Sequence, residues 1–574
     1  MLKARHIGIN IIILFFLPML NLLFMHYYFY LNGYLEWTWK YSTIINLFSV
    51  VFDVSILYIF SLLIFKGNVK LSILFSYIFT LIWSFVNVVY GRFFFQYMSL
   101  SAIGEAHGLG DGLVINSVMS AFRLYDFFYL LSIFCFLFFY RRMSTLRICF
   151  CNVLRLVVIP FLSVLFTLFI YSVYHFIHPR YRNNWELYKN RTQELLYESI
   201  RGGTPNLDHF QTGCIRVAIF ELYDMFHVTI LTAEQKNRIE TCYLDHSMRI
   251  TNHQCNPNVK NVIFILLESF LSAPIDLKVD GKEITPFLNS LKKDAAVYYN
   301  GNMVSDIGCG ESGDGQFIYM TGILPLRYKM TVGQVKDNML PALPKVLKEK
   351  YEIKHTEIIF PTMPNLWQQA DMNVAYGIDK AYSLIDIVSS YSEEIDDEAI
   401  FTFAANSLSI SKVPFFALIL SISAHSPYDK YVGEDLHLID DTLSDEYLNY
   451  LNTCHYTDSQ IKKYFDELKA KGLYDNSLIV IASDHYAHLD MLDMSEKISS
   501  HTPLFIINGD IDIETSWKGE FHQLDTYTTL MDVLSINQPW VGLGHTLLGP
   551  YVNSVDATSL RLSEMIIEGD YFNK

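Results

Sequence analysis

A chain of 574 residues with 51% hydrophobic side chains is too long for one ordinary domain and too apolar to be wholly soluble. Its formal net charge of −16 argues against a general nucleic-acid binder, which needs a basic stripe to release counterions from phosphates. A solvated acidic surface accounts for that charge.

The apolar residues are concentrated at the start of the chain. Five runs, 7–30, 44–65, 71–89, 124–140 and 153–174, predict five membrane-spanning helices, because about 17 to 25 apolar residues cross a hydrocarbon core. Lys3 and Arg5 precede the first run, Lys66 and Lys70 separate the second from the third, and Arg141, Arg142 and Arg147 separate the fourth from the fifth. Cations on alternate loops place those loops in the cytoplasm and everything after the fifth run outside. Trp37 and Trp39 fit an interfacial aromatic belt on the outer side. The first run exceeds the ~7 to 15 residues of a signal-peptide core and lacks a small-residue cleavage site, so it reads as retained. Asp53 lies inside the second run, where an ionisable group marks either function or a helix-packing hydrogen bond.

Residues 175–257 are polar, mixed in charge and interrupted by Gly202, Gly203, Pro205 and Pro257, with helical patterns at 185–200 and 233–243. They read as a helical connector between a membrane domain, 1–174, and a third domain, 258–574. Of the eight cysteines, five lie beyond the apolar runs, and Cys242 and Cys255 form the closest pair available for a disulfide.

From residue 258 the pattern changes. Short solidly apolar runs at 262–267, 415–420, 478–482 and 504–507 suit strands covered on both faces, and amphipathic stretches at 284–294, 343–350, 448–471 and 526–536 suit helices. The expected fold class is α/β with a mainly parallel sheet. Ligands of such sheets bind beyond the carboxyl ends of the strands. Glu268, His425, Asp484 and His485 all stand near such ends.

Glu268, Asp484 and His485 form a ligand set suited to one divalent ion, Mn2+, Mg2+ or Zn2+, and a buried carboxylate needs such a partner. The loop 308–315, GCGESGDG, precedes a predicted helix at 316–321 and puts Ser312 near a helix start. There a phosphoryl group would meet N–H donors and the positive dipole end, and a metal beside the hydroxyl would favour its alkoxide. The plain alternative is an N-cap serine. His425 could protonate a leaving group or donate to phosphoryl oxygens, and His455, His488 and His501 are further candidates.

Taken together, NVIFILLES at 261–269, GKEITPFLN at 281–289, the glycine-rich loop, HYTD at 455–458 and SDHY at 483–486 resemble the lipoteichoic acid synthase family of the alkaline phosphatase and sulfatase superfamily. The resemblance covers about 258–547 and, more loosely, the membrane anchor. It implies a sulfatase-like extracytoplasmic domain on the cell membrane, in which Glu268, Ser312, Asp484 and His485 bind one divalent ion, usually manganese, and Ser312 is the nucleophile. It also implies substrate contacts from His425 and Trp367. Two departures stand out. The family loop reads GKTSD, so Glu311 replaces a lysine beside the nucleophile, and Gln369 stands where the family has an arginine. No Cys-x-Pro-x-Arg pattern follows Cys309, which argues against the formylglycine route of sulfatases.

The implied reaction moves a phospho-headgroup from a membrane phospholipid through phospho-Ser312 to an envelope glycan or lipid-linked polymer. Phosphoglycerol is the first expectation and phosphoethanolamine the second. A phosphodiester or sulfate-ester hydrolase and an inactive membrane-tethered binding protein are the rivals.

Overall fold

The computed structural model describes residues 2–32, 42–94, 97–100, 123–177, 209–210, 213–226, 230–244, 249–251, 253–327, 329–388, 395–410, 414–426, 428, 436, 438, 440, 443–487 and 499–573. The expectations for Trp37, Trp39, the helix at 185–200 and His488 fall outside these residues. The chain divides into two compact units, the first drawn from 1–103 and 118–227, the second from 228 onward.

The first unit is helical: α1 (Leu2–Leu31), α2 (Ser42–Ile64), α3 (Val69–Phe94), α4 (Phe127–Tyr140), α5 (Phe150–Arg155), α6 (Val158–Ile177) and α7 (Cys214–Phe226). Among the described residues four stretches are long and apolar enough to cross a membrane, 14–31, 43–64, 69–92 and 150–170, so this is a membrane protein with a separate C-terminal domain. The expected count of five is corrected at 124–140. That stretch opens as a 3-10 turn, Leu124–Asp126, and only 14 residues continue as α-helix. At 1.5 Å per residue they extend about 21 Å, so 124–140 is a shorter apolar helix than the other four. The turn is held by a forked ion pair, Arg92 Nη1 to Asp126 Oδ2 at 2.8 Å and Arg92 Nη2 to Asp126 Oδ1 at 2.6 Å.

Asp53 resolves as a packing residue. It is fully buried, and its Oδ1 accepts the N–H of Ile215 at 3.1 Å, in the first turn of α7. A carboxylate at a helix N-terminus meets both unsatisfied N–H groups and the positive end of the dipole.

The second unit opens with α8 (Ala233–Leu244), whose Ile239 is part of that unit's core. An eight-stranded sheet follows, with strands β1 (Asn261–Leu267), β2 (Val297–Val304), β3 (His355–Ile359), β4 (Lys380–Tyr382), β5 (Phe415–Leu420), β6 (Ser477–Ser483), β7 (Thr502–Ile507) and β8 (Phe521–His522) in the order β8-β2-β7-β6-β1-β5-β3-β4. All neighbours are parallel except at β7, which runs antiparallel to both β2 and β6. All seven residues of β1 are buried: Val262, Phe264 and Leu266 pack on one side of the sheet, Ile263, Ile265 and Leu267 on the other. Each such side chain contributes about 1.5 to 3 kcal/mol on leaving water, which is why the central strands are apolar runs.

Flanking helices include α9 (Pro286–Lys292), α10 (Glu311–Thr321), α11 (Leu343–Lys350), α12 (Gln369–Tyr376), α13 (Asp397–Ile410), α14 (Asp445–Ala470), α15 (Gln523–Val533) and α16 (Ala557–Glu568). The helix expected at 316–321 starts five residues earlier, at Glu311, so Ser312 lies in its first turn. Cys242 and Cys255 are not bridged. Cys242 Sγ meets Arg249 Nη2 at 3.4 Å while Cys255 Sγ meets Tyr351 Oη at 3.2 Å, so each faces its own partner.

Candidate metal and nucleophile site

β1 and β6 pair in parallel with Leu267 opposite Ser483, and that register sends Glu268 and Asp484 off adjacent carboxyl ends side by side. The Asp484 N–H continues the ladder to the Leu267 carbonyl at 2.9 Å. His485 follows, and its Nε2 lies 3.6 Å from Glu268 Oε1 and 3.6 Å from Asp484 Oδ2. Ligand atoms of the three residues lie within 4.8 Å of one another, and all three residues are buried. α10 brings the hydroxyl: Ser312 Oγ is 3.2 Å from His485 Nε2 and 3.4 Å from Glu268 Oε2.

The electrostatics of this cluster are those of a site built around positive charge. Burial, with Glu268 beside it, pushes the Asp484 carboxyl up to about 7. Burial works against the His485 imidazolium, yet Asp484, Glu268 and Glu311 outweigh it and raise that group to about 9. Burial, reinforced by Asp314, Asp484 and Glu268, pushes Glu311 up to about 8. Two carboxylates and an imidazole converging in a desolvated pocket fit a divalent ion, which would replace mutual repulsion by coordination.

Several residues that the sequence did not single out hold these ligands in place. Ser269 donates its Oγ to Glu268 Oε1 at 2.7 Å and its N–H to Asp484 Oδ1 at 2.9 Å. Ser421, at the end of β5, accepts the Glu268 N–H at 2.9 Å, and Gln523 Nε2 donates to the Asp484 carbonyl at 2.6 Å. Only the adjacency of Ser269 to Glu268 is a local signal; Ser421 and Gln523 arrive from distant segments.

The glycine-rich loop works differently from a bare phosphate cradle. Asp314 Oδ2 accepts the N–H groups of Gly308 at 2.9 Å and Gly310 at 2.8 Å, so the loop's donors brace the turn that presents Ser312. Glu311, the residue before the hydroxyl, has φ of 44°, in the left-handed region.

His425 and Trp367 follow β5 and β3 in sequence, beyond the carboxyl ends of those strands. His425 stands on the turn after β5, its Nδ1 2.6 Å from the Ser426 carbonyl. Trp367 lies in the 3-10 turn 366–368 beyond β3, with φ of 52°. Gln369 is buried, and its Nε2 donates to Asn373 Oδ1 at 2.7 Å, so its amide is engaged within its own helix. His455 Nδ1 is 2.9 Å from the Ile284 carbonyl, tying α14 to the strand-helix connection before α9. His501 Nε2 pairs with Glu520 Oε2 at 3.1 Å.

Comparison with known proteins bears on the fold and on sequence similarity. Residues 260–536 match the sulfatase family. Lipoteichoic acid synthase 2 of Bacillus subtilis (strain 168) is 33% identical over 232 residues, which are 40% of this chain and 35% of that protein. Lipoteichoic acid synthase of Staphylococcus aureus (strain USA300) is 26% identical over 427 residues, 70% of this chain and 61% of that protein. The matched part thus spans from about a third to three-fifths of the length of these curated relatives. The integral membrane lipooligosaccharide phosphoethanolamine transferase A of Neisseria meningitidis superposes with a TM-score of 0.53 at 12% identity, covering 92% of this chain and 95% of that one, a likeness of fold.

Most of the second unit's residues from 228 onward thus match the sulfatase family. In sequence, the chain is similar to lipoteichoic acid synthases and matches the sulfatase family over 260–536.

Proposed function

We propose that this protein transfers a phospho-headgroup, phosphoglycerol in the first instance, from a membrane phospholipid to an envelope glycan or lipid-linked polymer. The observation that carries the reading is the Ser312 hydroxyl, 3.2 Å from His485 Nε2 and 3.4 Å from Glu268 Oε2 in a buried cluster of cation ligands. Glu268, Asp484 and His485, with Ser312, would hold one divalent ion, for which we propose Mn2+ ahead of Mg2+ and Zn2+. Such an ion supplies charge neutralisation at phosphoryl oxygens and a lower pKa for the hydroxyl beside it.

Ser312, deprotonated before substrate binds, attacks phosphorus through Oγ, the bond from phosphorus to the diacylglycerol oxygen breaks, and His425 delivers the proton with which diacylglycerol leaves. The acceptor hydroxyl then attacks the phosphoserine, loses its proton to the same imidazole, and restores Ser312. Trp367 and Gln369 are assigned to the headgroup pocket. The engagement of Gln369 with Asn373 favours a second reading, phosphoethanolamine transfer, because the family's arginine contact is replaced by an amide turned to its own helix.

The cations between the apolar runs support an orientation in the cell membrane with the catalytic domain outside, which requires the shorter apolar helix at 124–140 to cross together with the four long stretches. We further propose a functional division into a membrane domain at 1–174, a connector at 175–257 and a catalytic domain at 258–574.

The test is direct. Purified full-length protein with Mn2+ is incubated with headgroup-labelled phosphatidylglycerol or phosphatidylethanolamine, diacylglycerol release is followed, and the adduct is mapped by mass spectrometry. A labelled headgroup on Ser312 is expected. An adduct on any other residue refutes the nucleophile, and headgroup phosphate released to water without transfer to an acceptor identifies a hydrolase.

A further inference from the structure

The turn that carries His425 is held from behind by a buried carboxylate. Asp397, the first residue of α13, is fully buried. Its Oδ1 accepts the N–H of Ile422 at 2.7 Å and that of Ser423 at 3.1 Å. Its own N–H donates to Ser423 Oγ at 3.0 Å, and its Oδ2 accepts the hydroxyl of Thr457, on α14, at 2.6 Å. One peptide unit links this carboxylate to the histidine. The N–H of that unit, from Ser423, donates to Asp397, and its carbonyl, from Ile422, accepts the His425 N–H at 2.9 Å. A peptide unit is planar, so fixing one end fixes the other. One residue before Ile422, Ser421 Oγ accepts the Glu268 N–H, which ties the same turn to a proposed cation ligand.

A group that transfers a proton must be held within about 0.5 Å of its working place by the bonds behind it, and a misplacement of about 1 Å can cost about 100-fold in rate. A buried carboxylate is costly unless donors surround it, and here three do: two N–H groups of the turn and the Thr457 hydroxyl. We infer that Asp397 is a positioning residue for His425: through the peptide unit 422–423 it sets where the histidine enters the site, without touching substrate or cation. The role rests on the assignment of His425 as proton donor to the leaving group. His425 Nδ1 is directed at the Ser426 carbonyl, so Nε2 is the nitrogen that carries the transferred proton. A slack turn displaces that nitrogen, and the loss falls on the step in which the diacylglycerol oxygen takes up its proton.

The experiment compares two leaving groups on the full-length protein with Mn2+ in detergent. The phospholipid releases an alkoxide that needs a proton, whereas the p-nitrophenyl ester of the same phospho-headgroup releases a stable phenolate that needs none. Single-turnover release, with enzyme in excess, isolates the first step. Wild type, Asp397→Ala, Asp397→Asn, Thr457→Val and His425→Gln are compared, and thermal unfolding verifies that each is folded. Asp397→Ala is expected to slow release from the phospholipid at least about tenfold and from the nitrophenyl ester less than about twofold, the pattern His425→Gln shows more strongly. Asp397→Asn keeps an acceptor for both N–H groups and recovers most of the loss. Thr457→Val frees Asp397 Oδ2, shows the same selectivity, and carries the test where Asp397→Ala does not fold. Equal losses on both esters in the Asp397 and Thr457 variants, beside a selective loss in His425→Gln, overturn the role of Asp397 alone. Equal losses in His425→Gln overturn the proton-donor assignment and the role of Asp397 with it. No release by wild type from either ester, with phosphoglycerol or phosphoethanolamine as headgroup, overturns the transferase reading beneath both.

Discussion

Gly315 and Asp484 meet at a separation that admits no side chain: a Cβ on Gly315 would stand 2.1 Å from the Asp484 carbonyl oxygen. This contact sets how closely α10, which carries Ser312, approaches the strand end that carries Asp484 and His485. Gly315→Ala must push the helix and the strand end apart. Overpacking of this kind costs about 1 to 3 kcal/mol, and the displaced hydroxyl is expected to lose at least ~100-fold in turnover. Thermal unfolding and steady-state kinetics on the same preparation check both effects.

Ser312→Ala removes the attacking oxygen and leaves the three other ligands in place. Turnover is expected to drop by at least about a thousandfold, with no headgroup adduct and with Mn2+ binding retained within roughly tenfold. Asp484→Asn is expected to lose binding and turnover together. Chelation of the wild type with a strong divalent-ion ligand should reproduce the Asp484→Asn phenotype reversibly. Full activity after exhaustive chelation would contradict the metal assignment.

His522, at the carboxyl end of the edge strand β8, has its Nδ1 2.7 Å from Asp306 Oδ1. Burial opposes the charged ring, but the hydrogen bond to Asp306 and its negative charge outweigh that, and the His522 pKa is raised. A histidine whose folded pKa lies above its unfolded value binds more protons in the native state. The resulting stability is fully present below an unfolded pKa near 6.5 and is lost as pH rises through the folded value. His522→Gln should therefore flatten the decline of stability as pH rises from about 6.5 upward. Unfolding midpoints measured across that range for both proteins check it, and parallel curves would count against the pair.

In the membrane unit, Asp53 caps α7 through the Ile215 N–H, and Gly213, with φ of 101°, turns the chain just before it. A Cβ on Gly213 would come within 2.8 Å of Asp53 Oδ1, so the carboxylate and the turn are matched. Asp53→Ala is expected to destabilise the protein in detergent by about 1 to 2 kcal/mol, and Asp53→Asn by less. Thermal stability in one detergent, compared across the three proteins, measures it. An Asp53→Ala protein as stable as wild type but inactive would return Asp53 to a functional role.

Local sequence determined those features whose cause is local. Strands β1, β5, β6 and β7 are continuous apolar runs because both faces of the sheet are covered, and the membrane helices are apolar because lipid or protein surrounds them; each environment acts on every residue of its segment. Glu268 and Asp484 were legible for the same reason, as charges directly beyond such runs. β2 was not legible, since Tyr298, Tyr299, Asn300 and Asn302 break the apolar pattern, and Asn300 and Asn302 instead hydrogen-bond to carbonyls of the 517–519 segment. Tertiary structure alone decided that Leu267 aligns with Ser483, that Ser421 and Gln523 brace the ligands, and that Asp397 holds the turn of His425. Those relationships join segments up to hundreds of residues apart, and they follow from strand register and helix approach, for which no periodicity within a single segment carries a signal.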